Sequence, residues 1–349
     1  MSKPNPPSVM EAILSDPDSG AERRRIWIDC DPGHDDALAI ILAHEHLDLI
    51  GISTVFGNQS VDKTTINALS ISALAGIDVP VVRGAAGPLI GKVIDGSDVH
   101  GKTGIDGAEL PPPRAVPVEA PLATYLPDLL ERNGWSIDLI ATGPLTNIAN
   151  LLTDWPNAGR FIKSISLMGG STENGNVTPA AELNIYADPE AAKVVFESAI
   201  PLIMAGLNVT TTVGADQPDI DMLRQSGGRV AAALSGMLDF YRRRQIEIYD
   251  RHIAPFHDPC AVLAFIRPEL FTYRPAHVAV ETSGELTRGM TVCDFRMVHS
   301  QTVSHIRPSK PANTRVAVAC ASREIVDFVI ATIIETDRRL GERTAGGVN

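Results

Sequence analysis

The chain has 349 residues, 44% hydrophobic and 21% charged, enough apolar content for the substantial core of an ordinary soluble protein. Lys plus Arg number 30 and Asp plus Glu 42, so the net charge is −12; this argues against nucleic-acid backbone binding and suits a small neutral substrate or a bound cation. No apolar run reaches membrane-spanning length, and Cys30, Cys260, Cys293 and Cys320, none in a Cys-x-x-Cys pair, read as reduced cytoplasmic thiols rather than a disulfide framework.

Met1 to Arg25 is polar and Pro-rich, with no signal-peptide-like stretch, and reads as a loose arm. Ile26 to Cys30 is a short apolar run bounded by acids, as in a buried strand, and Ala37 to Leu42 begins a helix. Leu49 to Phe56 predicts a strand, Asp62 to Ala75 a helix and Pro80 to Arg83 a short third strand. Gly84 to Pro121 breaks the rhythm; a Gly- and Pro-rich loop of this length, carrying Val99-His100-Gly101, is either a lid over a site or disordered. Ile137 to Ala141 and Ile162 to Met168 are strands around a helix from Leu145 to Leu152, and Pro201 to Ala205 is a further strand. A long helix covers Arg229 to about Tyr249, and Ala261 to Phe265 opens another. Strands at Ala276 to Glu281, Met290 to Phe295 and Arg315 to Ala319 precede a closing helix from Glu324 to Ile334, and Thr344 to Asn349 reads as frayed. The alternation predicts an α/β fold with a mainly parallel open sheet flanked by helices. No repeat or linker divides the chain, so residues 26–340 are expected to form a single domain.

The strongest local signal is Asp29-Cys30-Asp31-Pro32-Gly33-His34-Asp35-Asp36, which places four carboxylates within eight residues directly after a buried strand. Ligands of open α/β sheets bind beyond the carboxyl ends of strands. Acids at a helix start favour the dipole and can cap, which accounts for one or two of the four. No Lys or Arg lies inside the cluster, so a hard cation with oxygen ligands is the natural partner. In Phe256-His257-Asp258-Pro259, Asp258 alone reads as an N-cap and His257 alone as a hydrogen-bonded histidine. Glu182 and Asn184, two apart in an expected extended segment, would point to one side and hold hydroxyl groups. Asn58 and the Thr142-Gly143-Pro144-Leu145-Thr146-Asn147 stretch also follow strands.

Taken together, these segments resemble the inosine-uridine type nucleoside hydrolases. Asp29 to Asp36 looks like the N-terminal fingerprint of that family and Ala141 to Ala149 like its second signature. Met168-Gly169-Gly170, Asn176, Ala181-Glu182-Leu183-Asn184 and His257-Asp258 match further positions in the same order, across roughly residues 26 to 335. The resemblance implies a Rossmann-like nucleoside hydrolase fold and a Ca2+ ion held by Asp31, Asp36, Asp258 and the carbonyl of Thr142. It implies ribose contacts from Asp35, Asn58, Asn176, Glu182 and Asn184, with Met168 packing nearby and Asp29 orienting the loop. The family's usual aromatic between Glu and Asn is Leu183 here. The implied activity is hydrolysis of the N-glycosidic bond of ribonucleosides by a cytoplasmic homo-oligomer, a dimer or tetramer, in nucleoside catabolism or salvage.

For the chemistry, Asp31 is the expected general base and His257 the expected general acid for the departing base; the alternative for His257 is that it only packs against the base. Tyr241, Gln245 and Tyr249 are four apart and share a helix face leading into the site. Gln245, Tyr249 and Arg251 resemble the base-side residues of pyrimidine-preferring members, pointing to uridine and cytidine. Two rivals stand beside this reading. One is a nucleoside-binding protein with structural calcium and no catalysis. The other is a metal-dependent phosphohydrolase, opposed by the missing phosphate-binding signals.

Overall fold

The computed structural model describes residues 23–94, 96–296, 298 and 305–346. In chain order its first elements are β1 (Arg25–Cys30), α1 (His34–His46), β2 (Asp48–Thr54), α2 (Val61–Ala75) and β3 (Val81–Arg83). Next come α3 (Ser97–His100), α4 (Leu122–Asn133), β4 (Ile137–Ala141), α5 (Thr146–Asp154), β5 (Ile162–Met168), α6 (Leu183–Ala187), α7 (Pro189–Phe196) and β6 (Leu202–Ala205). The last part holds α8 (Leu207–Thr210), β7 (Gly214–Ala215), α9 (Gln217–Ser226), α10 (Arg229–Tyr249), β8 (Ala254–Pro255) and α11 (His257–Ile266). It closes with β9 (Phe271–Val280), β10 (Thr291–Asp294), β11 (Thr314–Cys320) and α12 (Ser322–Gly346).

Nine strands form one sheet in the order β10-β9-β11-β6-β5-β4-β1-β2-β3. Neighbours from β3 through to β11 are parallel, whereas β9 and β10 run antiparallel at one edge. The fold is therefore α/β with a mainly parallel sheet, as the alternation of apolar runs predicts. Strands covered on both faces need near-continuous apolar sequence, and β1 and β4 are buried almost throughout. One apolar cluster lies under α1, α2, α10, α11 and α12, and a second under α4, α5 and α7. Each fully buried Ile or Leu in them contributes about 1.5–3 kcal/mol. Chain order reverses between β1 and β4: β2 and β3 lie to one side, β5 and β6 to the other. The crevice beyond the carboxyl ends of such a pair is where open α/β sheets bind ligands.

Several expectations are corrected. The first helix begins at His34 rather than Ala37, because Gly33 and Asp36 close its first turn, with the Gly33 N–H donating to Asp36 Oδ2 at 2.8 Å. Glu182 and Asn184 are not in an extended segment: Glu182 is the N-cap of α6 and accepts from the N–H groups of Asn184 and Ile185. Asp258 is not an N-cap; it lies in the first turn of α11, whose N-cap is Phe256. The C-terminal helix runs on through Gly346, past the predicted Ile334 and into the stretch read as frayed. Arg25 belongs to β1 rather than to an arm, and residues 1–22 of that arm lie outside the described residues, as do residues 347–349. Among the described residues no helix is long and apolar enough to cross a membrane.

Candidate active site

The acidic motif leaves β1 and enters α1 at the point where strand order reverses. Asp29, Asp31, Asp35 and Asp36 are all buried there, and Asp258 arrives from the first turn of α11. Oxygens of Asp35, Asp36 and Asp258 lie within 4.8 Å of one another. Asp31 sits directly beside them. Its Oδ2 accepts from the Asn58 N–H at 2.6 Å, while its Oδ1 is buried without a hydrogen-bond partner. The backbone makes room for this carboxylate: a Cβ at Gly57 would stand 2.0 Å from Asp31 Oδ2, and one at Gly143 2.7 Å from Oδ1.

The surrounding polar groups are tied to the same cluster. Thr142 Oγ1 donates to Asp36 Oδ1 at 2.8 Å, and Asn58 Nδ2 donates to Asp36 Oδ2 at 3.2 Å. Asn184 Nδ2 donates to the Thr142 carbonyl at 2.8 Å and to the Met168 carbonyl at 3.1 Å. Glu182 Oε2 accepts from Gly170 N–H at 2.8 Å. Asp29 lies behind the cluster, where its Oδ1 accepts from Ser53 Oγ and from Asn147 Nδ2, the latter at 2.8 Å.

Burial drives these acids toward the neutral form. Asp31 and Asp258 are pushed well above the usual carboxylate range, first by burial and then by the charges of Asp36 and Asp35 respectively. Asp36 is raised by burial against several hydrogen bonds. Burial, with Asp36 adding, holds Asp35 up to about 7, and burial alone raises Glu182 to about 7 against four backbone N–H donors. Among the described residues no Lys or Arg pairs with Asp31, Asp35, Asp36 or Asp258. Buried like charges without a cationic partner, one of them with an orphaned oxygen, fit a hard divalent ion held by oxygen ligands.

A cavity of about 660 Å³ opens above the cluster. Asp35, Asn58, Thr142, Met168, Asn176, Glu182, Asn184, Gln245, Tyr249, Arg251, His257 and Asp258 line it, which brings together most of the residues singled out from sequence. Asp29, Asp31 and Asp36 are buried and do not line it. Asn176 stands on the exposed rim, where its Oδ1 accepts from Leu183 N–H at 3.0 Å. Leu183 also lines the cavity, in the position of the expected aromatic.

On the opposite wall, α10 presents Tyr241, Gln245 and Tyr249 on one face, as their spacing predicts; the first two are buried and Tyr249 is 41% exposed. Arg251 Nη1 donates to Gln245 Oε1 at 3.0 Å and its guanidinium lies 5.4 Å from the Tyr249 ring centroid. His257 Nδ1 is 2.8 Å from Thr210 Oγ1, leaving Nε2 as its other ring nitrogen. Burial, and then the Arg251 charge, push the imidazole down to about 3, so the ring is neutral near pH 7.

Sequence reasoning missed Thr210, a buried hydroxyl with no local signal that separates it from a core threonine. It also left open the segment after β3. That segment contains α3, and His100 at its end is buried and lines the cavity.

The match to known proteins agrees with this geometry. Residues 26–327 match the family model described as inosine-uridine preferring nucleoside hydrolase. A pyrimidine-specific ribonucleoside hydrolase RihA from Enterobacter sp. (strain 638) is 43% identical over 77% of this chain and 88% of its own length. Its counterpart from Shewanella oneidensis is 41% identical over 88% of this chain and 95% of its own. Among solved structures, a purine-preferring ribonucleoside hydrolase from Gardnerella vaginalis superposes with a TM-score of 0.82 at 28% identity, covering 90% of this chain and all of that one. The plant nucleoside hydrolase PpNRh1 superposes with 0.81 at 30% identity, covering 89% and 99%.

Proposed function

The chain belongs to the inosine-uridine preferring nucleoside hydrolase family and is a hydrolase of the N-glycosyl bond of ribonucleosides; we propose that it prefers uridine and cytidine and works with a bound calcium ion. The shared fold does not decide the base, since the neighbours of similar TM-score include a purine-preferring enzyme. The observation that carries the pyrimidine reading is the Gln245–Arg251 pair on the cavity wall. Arg251 occupies Gln245 Oε1, so the amide NH2 is what Gln245 offers a base. An amide N–H donor suits the O2 or the O4 of uracil, and the O2 or N3 of cytosine. The RihA relatives, pyrimidine-specific by name, support the same choice.

The proposed calcium ligands are Asp31, Asp36, Asp258 and the Thr142 carbonyl, with Asp35 close enough to contribute. When bound, the ion would offset the buried carboxylate charge and hold a water and the ribose hydroxyls. Asp35, Asn58, Asn176, Glu182 and Asn184 are assigned to the ribose, with Met168 beneath it. Breaking the bond from C1′ to the base nitrogen leaves positive charge on the sugar, which this ring of carboxylates stabilises. Asp31 takes the proton of the attacking water on Oδ1, the oxygen without a partner. The bonding electrons leave with the base; neutral His257, whose Nδ1 accepts from Thr210 Oγ1, steadies the departing base with a hydrogen bond from Nε2–H, and the base takes its proton from solvent, so the expected role of a titrating acid does not suit this buried ring. The four free cysteines fit a reducing, cytoplasmic setting, and residues 26–340 are assigned to one domain built on the single nine-stranded sheet.

A single panel tests the reading. The protein is incubated with uridine, cytidine, inosine and adenosine, and released ribose is measured as reducing sugar. Faster release from the two pyrimidine nucleosides is expected. Faster release from inosine or adenosine would overturn the base assignment. Phosphate esters are not expected to react, because among the described residues that line the cavity Arg251 is the one Lys or Arg.

A further inference from the structure

One side of the cavity has no part in the chemistry above. Ile94, Val177 and Leu183 line it there, together with Gly96 and Asn176. Ile94 and Val177 are exposed and Leu183 is half-buried, so apolar surface faces solvent at the rim. This surface is continuous with the ribose wall. A Cβ on Gly96 would stand 3.1 Å from Asn58 Oδ1 and 3.4 Å from Leu183 Cδ2, so Asn58, Gly96 and Leu183 follow one another along it. The N–H groups of Asn176 and Val177 both donate to the Ala181 carbonyl, at 3.1 and 3.2 Å, which folds their loop back beside the start of α6 and Leu183.

Most groups of a bound ribonucleoside are already placed. The base meets Gln245, Arg251 and His257, and the 2′- and 3′-hydroxyls meet the carboxylate cluster. The 5′ carbon is what remains of the sugar, and the side bearing Asn176 and Leu183 is what remains of its wall. Asn176 Oδ1 accepts from the Leu183 N–H at 3.0 Å, so the amide NH2 is what Asn176 has left for an acceptor atom on the 5′ carbon. Past that atom the wall is aliphatic and open to solvent. Leu183 holds the position where the family resemblance leads one to expect an aromatic ring, and the smaller side chain leaves room there. Charge also restricts what can enter. Asp98 and Glu173 line the cavity, and among the described residues that line it Arg251 is the one Lys or Arg. An anionic group on the 5′ carbon would meet acids without a cation, whereas a neutral one would not.

We propose that Ile94, Val177 and Leu183 form a subsite for a neutral apolar substituent on the 5′ position, so that the substrates include 5′-O-alkyl ribonucleosides as well as unsubstituted ones. This rests on the nucleoside reading of the cavity and names a substrate class within it. The reaction is unchanged: water adds at C1′, the bond from C1′ to the base nitrogen breaks, and the products are the free base and a 5-O-alkyl ribose. An alkyl chain laid on the subsite removes apolar surface of both partners from water, which favours binding in proportion to the area covered. The outer end of the subsite is open, so the gain per methylene is smaller than in an enclosed pocket, and no wall limits the length of the chain.

The test measures initial rates of the full-length protein in the presence of calcium, by release of reducing sugar. The substrates are uridine, 5′-O-methyluridine and 5′-O-butyluridine, and the corresponding inosine series, so the result does not depend on the base preference. The methyl and butyl ethers share the 5′ oxygen and both lack the hydroxyl hydrogen, so their ratio isolates the contact with the alkyl chain. kcat/KM should be at least about threefold higher for the butyl ether than for the methyl ether, with most of the difference in KM. That ratio should fall toward one in Ile94→Asn and Val177→Asn, which make the rim polar, and in Leu183→Phe, where a ring fills the room. Uridine 5′-monophosphate should be a poorer substrate than 5′-O-methyluridine. A butyl ether no better than the methyl ether in the wild type overturns the proposal, even if every variant fails to fold. So does hydrolysis of uridine or inosine with neither ether hydrolysed, a ratio left unchanged by all three substitutions, or faster hydrolysis of the monophosphate than of the methyl ether. Hydrolysis of neither uridine nor inosine would instead remove the nucleoside reading, and the subsite with it.

Discussion

Replacing Gln245 by Ala tests base recognition at the residue that carries it. The side chain is 2% exposed, and its Oε1 is committed to Arg251 at 3.0 Å. Truncation therefore removes two amide donors from a buried position and leaves a pyrimidine oxygen without its partner. A lost hydrogen bond at such a site costs about 1–3 kcal/mol. This corresponds to roughly a tenfold to hundredfold fall in kcat/KM for uridine and cytidine. The released Arg251 guanidinium can partly replace the lost donor, which places the expected loss toward the lower end. It also predicts that Gln245→Ala and Arg251→Ala combine non-additively, since the two side chains share one hydrogen bond. Inosine, read along a different edge, should change by less than about threefold. The assay is initial rates on uridine, cytidine and inosine for the wild type, both single variants and the double. Equal losses on uridine and inosine would refute the reasoning and move base recognition to Tyr249 or His100.

Three further outcomes follow from the same geometry. 2′-Deoxyuridine should be a far poorer substrate than uridine, because the polar groups assigned to the ribose would be left buried and unpaired; comparable kcat/KM values would show the ribose assignment to be wrong. His257→Ala should lower kcat more than KM on uridine and spare p-nitrophenyl riboside, whose leaving group needs no such hydrogen bond; equal losses on both would remove His257 from the leaving-group role. The third outcome concerns pH. Burial, with the Asp36 charge adding, raises Asp35 in the folded state from the ordinary 3.8 to about 7. The folded protein then binds more protons than the unfolded chain between those values, so this group's contribution to metal-free stability is lost as pH rises through that window. The increase in Tm on adding calcium should accordingly be larger at about pH 8 than at about pH 5.5, and the reverse order would contradict the burial argument.

The central strands were legible as short, apolar-rich runs without Gly or Pro, and the long helix by apolar residues that recur at helical spacing in spite of Gly236. Ile137 to Ala141, Ile162 to Met168 and Arg229 to Tyr249 are found with the bounds their sequence predicts. The helices that went unread carried local signals outweighed by their surroundings. α4 follows a Pro-rich stretch and contains Pro127, although Leu122, Leu126 and Leu130 repeat every fourth residue on its buried side. α7 opens with the Asp188 cap and Pro189 at its first turn, and α9 with a capping box from Asp216 to Asp219. In the site, the carboxylates were legible because four acids after a buried strand have few structural explanations. Gln245 showed its place through helix spacing, but its pairing with Arg251 did not, since that depends on how the chain turns after Tyr249, where Asp250 adopts a left-handed conformation.

The most direct test of the account is uridine hydrolysis by the purified protein as the metal is removed and returned. Wild-type protein stripped with a calcium chelator should lose its activity and recover it on adding calcium, with metal analysis showing calcium bound again. Asp31→Ala and Asp258→Ala should neither bind the ion nor turn over uridine under either condition. Undiminished uridine hydrolysis by metal-stripped wild type or by Asp31→Ala would contradict the claim that these buried carboxylates work through a bound cation.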